Sequence, residues 1–241
     1  MKRISIVWSA IGLFNFLSHS ASAQPVQEYH HSPFPHPLNA TMAIPDPVGS
    51  YNIRLNAFRR QETNGSTFDV SGHLSYGMFE WGGIHLRSLG VKTTSLTEII
   101  GMVGLWKNRQ RTQGISLLGI LGVPTGNKID NEHHGVSYLF GFTGRIATAG
   151  VITNDIILHY DFTAGHYIAE TGTVVRLSST LFAALDFRGA FGPSRPDVTL
   201  LPSLKLRIVD AAYVGLGYNA ALTDSSPFKS QIFVQVEFGS H

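Results

Sequence analysis

Residues 230–238 read SQIFVQVEF, and their alternation decides the fold. Ile232, Val234, Val236 and Phe238 fall on one side of an extended chain, while Gln231, Gln235 and Glu237 fall on the other. Phe233 is the lone apolar residue in the polar set. Side chains alternate across a strand, so such a segment has one apolar and one polar face. The same period recurs upstream in segments of about ten residues separated by Gly, Pro, Asn, Ser or Asp. Leu200, Leu204, Leu206 and Ile208 oppose Ser203, Lys205 and Arg207; Leu181, Ala183, Leu185 and Phe187 oppose Asp186 and Arg188. Ile156, Leu158 and Tyr160 oppose Asp155, His159 and Asp161, and Val136, Tyr138, Phe140 and Phe142 oppose Ser137, Thr143 and Arg145. Nearer the start, Phe68, Val70 and Leu74 oppose Asp69, Ser71 and His73, and Tyr51, Ile53 and Leu55 oppose Asn52, Arg54 and Asn56.

With weaker segments around 83–88, 96–106, 166–177 and 212–221, the count reaches about 12, an even number as bacterial outer-membrane barrels require. Helix patterns are scarce, and nothing after residue 23 reaches the roughly 18 apolar residues of a membrane helix. The expected fold class is all-β, an antiparallel transmembrane β-barrel of about 12 strands. A soluble secreted β-sandwich alternates too. Two details favour the barrel: polar faces that carry both charge signs and histidine, as a lumen would, and Tyr and Phe near segment ends, as interface girdles do.

Connection lengths point the same way. With both termini in the periplasm, odd-numbered connections are extracellular, and the longest, Pro124 to Gly135, is the fifth. Tight links near Ser178-Ser179 and Val209-Asp210 fall on the periplasmic side. Long outside and short inside is the rule for these barrels. Lys107 to Thr112 departs from it, being periplasmic yet fairly long and basic.

Residues 1–23 have the form of a signal peptide: Lys2 and Arg3, an apolar stretch from Ile4 to Leu17, and Ala21-Ser22-Ala23 before Gln24. The chain has 18 Lys+Arg against 16 Asp+Glu, and removing Lys2 and Arg3 leaves 16 of each. That balance gives no reason to expect nucleic acid as a partner. Charged residues make up only 14%, below the roughly 25% usual in soluble domains. The absence of cysteine excludes disulfides, thiolate catalysis and thiolate metal sites. Residues 24–48 are rich in Pro and His and read as a periplasmic extension or a plug in the barrel mouth, with the barrel over 49–241.

Three constellations bear on chemistry. His30, His31 and His36 in the extension, and His133 and His134 in the longest loop, are candidate metal ligands. No spacing among them matches a closed site, so the expectation is solvated histidines, no metal and no cofactor. The stretch HLSYG, 73–77, puts His73 and Ser75 on one face, close to the His-x-Ser-Asn-Gly of outer-membrane lipid hydrolases. Tyr76 replaces the Asn, and the shared face reads as lumen, so no enzyme is expected. The third set is the inward ionisable residues, candidates for lining or selectivity: Arg54, Asp69, His85, Arg87, Asp155, His159, Asp161, Glu170, Arg176, Asp186, Arg188, Lys205 and Arg207. His73, Arg145 and Glu237 share their faces. Such residues either line a polar path or pair across strands and close the interior.

Finally, GISLLGILGVPTGN, 114–127, is a glycine-spaced apolar strand running into Pro124-Thr125-Gly126. It resembles the family of outer-membrane barrels associated with meta-pathway phenol degradation, and DPVGSYNIR, 46–54, is compatible with that family. Gly239-Ser240-His241 after the terminal aromatic residue depart from the usual outer-membrane ending. The resemblance implies a transporter or channel for small hydrophobic or aromatic compounds, and it supplies no ligand residues. The expected location is the outer membrane of a Gram-negative bacterium. Expected partners are outer-membrane lipids, the barrel assembly machinery and a small solute. The alternatives are a closed structural or surface-binding barrel and, less favoured, a lipid hydrolase.

Overall fold

The computed structural model describes residues 43–63, 65–91, 96–125, 135–148, 150–193 and 195–240. Among them run twelve strands: β1 (Tyr51–Glu62), β2 (Gly65–Phe79), β3 (Gly82–Ser88), β4 (Leu96–Lys107), β5 (Gln113–Pro124), β6 (Ser137–Thr148), β7 (Ile152–Asp161), β8 (His166–Arg176), β9 (Leu181–Phe191), β10 (Asp197–Val209), β11 (Ala212–Ala221) and β12 (Ser230–Ser240). Each pairs antiparallel with its sequence neighbours, and β1 pairs with β12 from Tyr51↔Ser240 to Gln61↔Ser230, closing the barrel. Gly239 and Ser240, which follow the last aromatic, therefore belong to the closing strand. The start of β1 and the end of β12 lie at one end of the barrel, where the connections 80–81, 108–112, 149–151, 177–180 and 210–211 are short. That end is periplasmic by the rule of short inner turns.

The apolar faces point outward. Leu55, Leu204, Leu216 and Ile232 are each more than half exposed, which in water would be untenable over a whole wall but suits lipid. Exposed aromatics gather at two levels. Tyr51, Tyr76, Phe79, Trp81, Trp106 and Phe238 ring the periplasmic end, and Phe68, Tyr138, Phe162 and Tyr167 the far end. This is the double girdle of a membrane barrel.

The interior holds apolar clusters beside its polar residues. Ile100, Leu118 and Ile157 point inward, fully buried, and pack with Ile120, Leu139 and Ile168. Phe58, Leu201 and Phe233 form a second inner cluster, and Val174, Phe182, Ala184 and Tyr213 a third. The lumen is narrow enough for side chains of adjacent strands to cover one another, as in small filled barrels. Each large aliphatic buried this way contributes about 1.5–3 kcal/mol. That is why β4 and β5 are apolar on both faces and show the period of two poorly.

Residues 43–46, a few positions before β1, also lie inside. Ala43, Ile44 and Asp46 are buried, and the Thr143 hydroxyl donates to the Ala43 carbonyl at 2.5 Å. Opposite this segment the inner wall is glycine. A Cβ on Gly77 would sit 1.9 Å from the Pro47 carbonyl oxygen, and one on Gly114 2.6 Å from Ile44 Cγ2. Neither position has room for any side chain while the segment is in place. The basic 108–112 turn, anomalous in the sequence, acquires a reason here: Arg111 donates to the Pro45 carbonyl. Arg111 holds a left-handed φ of 55°, uncommon for a non-glycine residue, and Asn108 Oδ1 fixes the turn by accepting from the amides of Thr112 (2.9 Å) and Gln113 (3.1 Å).

Candidate functional site in the barrel lumen

Strand alternation brings nearly all the sequence-derived lumen residues to the inner wall, where most are paired. Arg145 donates to Asp155 through Nε (2.8 Å) and Nη2 (2.7 Å), a bidentate fork between β6 and β7. Arg87 on β3 meets Glu98 on β4 at 2.5 Å. Arg188 on β9 bridges Glu170 on β8 (3.4 Å) and Asp197 on β10 (3.5 Å). Lys205 on β10, almost fully buried, donates to Gln235 (2.5 Å) and Glu237 (2.9 Å), both on β12 two strands away. Buried charges persist only with such partners. Asp186 lies buried on β9.

A histidine pair lies on the opposite wall. Arg54 donates to His73 Nδ1, and His73 Nε2 lies 3.1 Å from His85 Nδ1. Since guanidinium only donates, His73 Nδ1 is the acceptor of this contact. His73 and Ser75 share the inner face, as the HLSYG stretch implied. At the periplasmic end, Arg207 lies over the rings of Phe182 (5.3 Å) and Tyr213 (5.6 Å), and Arg176 over Phe182 (5.8 Å).

Two candidates have local structural duties. Asp69 Oδ1 accepts from the backbone amides of Val70 (2.8 Å) and Val91 (2.9 Å), tying the β3–β4 connection to the wall. Asp161 ends β7 and caps the turn to β8 by accepting from Thr163 (2.8 Å) and Ala164 (3.0 Å) amides. It stands at the rim and not on the deep wall. His159 is buried and lines the cavity. Sequence reasoning missed Glu98, Arg60, Asp197 and Asp46. A single charge inside the apolar run LTEIIGMVG was the available signal for Glu98. His30, His31, His36, His133 and His134 lie outside the described residues, among which no group of three or more His, Asp or Glu is placed to hold a metal.

Between these walls, toward the extracellular end, is a cavity of about 270 Å³. It is lined by all three kinds of wall: charged pairs (Arg87, Glu98), aliphatics (Leu139, Ile168) and aromatics (Phe58, Phe233).

This architecture matches solved outer-membrane channels. The KdgM porin superposes with a TM-score of 0.61 at 10% identity, over 79% of this chain and 99% of its own. An outer membrane channel from Pseudomonas putida F1 gives 0.61 at 8% identity, over 84% and 100%. The chain has the porin-like barrel fold. The NanC porin agrees, with a TM-score of 0.56 at 7% identity over 78% and 98%. At such identities the likeness extends to the fold, and it carries no link to phenol degradation. No protein-family model matches the chain, and no curated protein matches it.

Proposed function

We propose that this protein is an outer-membrane channel for small solutes, hydrophobic or aromatic ones included, with a periplasmic mouth narrowed by residues 43–47. One observation carries the reading. A barrel meant to be solid fills its interior with side chains. Here the inner wall carries glycine at 77, 83, 104 and 114, and the space those glycines leave is taken by residues 44–47, which lead into β1. Withdrawing it would open a trough where no side chain stands ready to close it. The cavity on the extracellular side supplies the other half of a path, and the paired charges around it set its polarity. Lipids and the assembly machinery are the partners such a barrel requires.

The test is single-channel conductance of the detergent-folded protein in planar bilayers, with and without residues 24–48. Narrow discrete channels that widen on deletion are expected. Silence in both forms would overturn the reading. It would favour a closed structural barrel, which the forked Arg145–Asp155 pair and the Lys205–Glu237 pair support.

A further inference from the structure

The extracellular cavity has a wall unlike the rest of the lumen. Phe58 on β1 and Phe233 on β12 stack with centroids 5.2 Å apart and an interplanar angle of 30°, backed by Leu201. Arg60, one turn of the pleat further out on β1, holds its guanidinium 5.8 Å from the Phe58 ring centroid and 5.3 Å from that of Phe228, in the β11–β12 connection. With its amide oxygen turned toward this guanidinium, Gln231 accepts from Arg60 Nε at 2.6 Å and Nη2 at 3.1 Å. The flanking rings hold the guanidinium in place, and its fork, which the Gln231 amide oxygen occupies, suits a bidentate acceptor. The facing wall is aliphatic at Leu139 and Ile168.

From this arrangement we infer that the cavity is a binding subsite for a single aromatic ring bearing a carboxylate. The inference rests on the channel reading for its biological setting, though the site can bind whether or not solute passes. The ring lies against Phe58 and Phe233, where offset stacking adds to simple burial. Leu139 and Ile168 close over its other face, which suits a flat hydrocarbon ring better than a sugar with hydroxyls on both faces. The carboxylate takes the Arg60 fork in place of the Gln231 amide, a neutral acceptor being weaker than a charged one. About 270 Å³ is below the roughly 300–1,000 Å³ of sites for drug-sized molecules, which suits a small guest.

The probe is benzoate, titrated calorimetrically into the detergent-folded full-length protein, with acetate (charge without ring) and benzyl alcohol (ring without charge) as comparisons. Benzoate is expected to bind tighter than either. Arg60→Gln should weaken benzoate by at least about ten-fold and leave benzyl alcohol unchanged. Phe233→Leu should weaken benzoate and benzyl alcohol together and leave acetate unchanged. Retained gel mobility of unheated samples confirms that each variant is folded. Absence of benzoate binding, acetate binding as tightly as benzoate, or an unchanged Arg60→Gln titration would each overturn the subsite. Conductance is measured separately: benzoate binding in a silent barrel leaves the subsite standing and removes the channel, whereas conductance without binding does the reverse.

Discussion

Gly77 shows how much one missing methyl group decides. Its amide donates to the Ser50 carbonyl at 3.0 Å and its carbonyl accepts from Gly49 at 2.8 Å, so at this point the wall and the chain leading into β1 join through backbone. Gly77→Val is expected to expel residues 45–47 from their track without unfolding the barrel, because β2 tolerates valine. Single-channel conductance should then rise toward that of the protein lacking residues 24–48; an unchanged value would mean that the segment does not narrow the path. At this scale the sequence was legible in one respect. Alternation puts Arg54, Arg87, Asp155 and Lys205 on the inner face, since a side chain's face follows from parity, and Arg54, Asp155 and Lys205 lie buried. Their partners were not legible. Whether Asp69 binds a cation or two amides depends on its height in the wall and on how the neighbouring connection folds, and parity encodes neither. Phe233, marked by alternation as an apolar residue on a polar face, was the visible trace of the aromatic wall.

Among the elements, β10 carries a defect with a definite cause. Pro202 stands mid-strand, and pairing with β11 lapses between Leu200↔Ala220 and Ser203↔Gly217. Proline has no amide hydrogen to donate, so it is ordinarily confined to edges and bulges. The wall is recessed here on its lipid side, between Leu185, Leu204 and Tyr218. Pro202→Val should restore a ladder bond worth about 1 kcal/mol and raise the temperature at which the barrel loses its unheated gel mobility. A lowered temperature would show that the recess, and not the missing bond, governs stability there. The strands themselves could be read from the chain, including the faint ones at β3, β4, β8 and β11. The weakest signal was in β4 and β5, where Ile100, Leu118 and Ile120 fill the lumen, and a face buried by neighbours is apolar whichever way it points. The 108–112 turn looked anomalous only because its partner, the Pro45 carbonyl, is far away in sequence.

For the molecule as a whole, the β1–β12 ladder that closes the barrel is also where polar side-chain contacts gather. Asn52 donates to Glu237 at 3.1 Å, Gln235 donates to Asn56 at 2.8 Å, and Lys205 reaches the same Glu237 from β10. Glu237→Leu would leave the Lys205 ammonium buried without its carboxylate, which typically costs about 3–5 kcal/mol. Urea unfolding in detergent micelles should shift accordingly, whereas a midpoint within error of the parent would mean that water or another acceptor takes over. The seam also governs a matter of timing. Val48 and Gly49 are all that separates Pro47 from the serine before β1, so residues 43–47 are tethered to the first strand and travel with it. Until β1 meets β12, the interior is open along its side, and the tethered segment can be laid in laterally. Once the two strands have zipped, that lateral way in is closed. The moment of closure during biogenesis thus divides the molecule's history into a period when the tether is loaded freely and one when it can only be threaded.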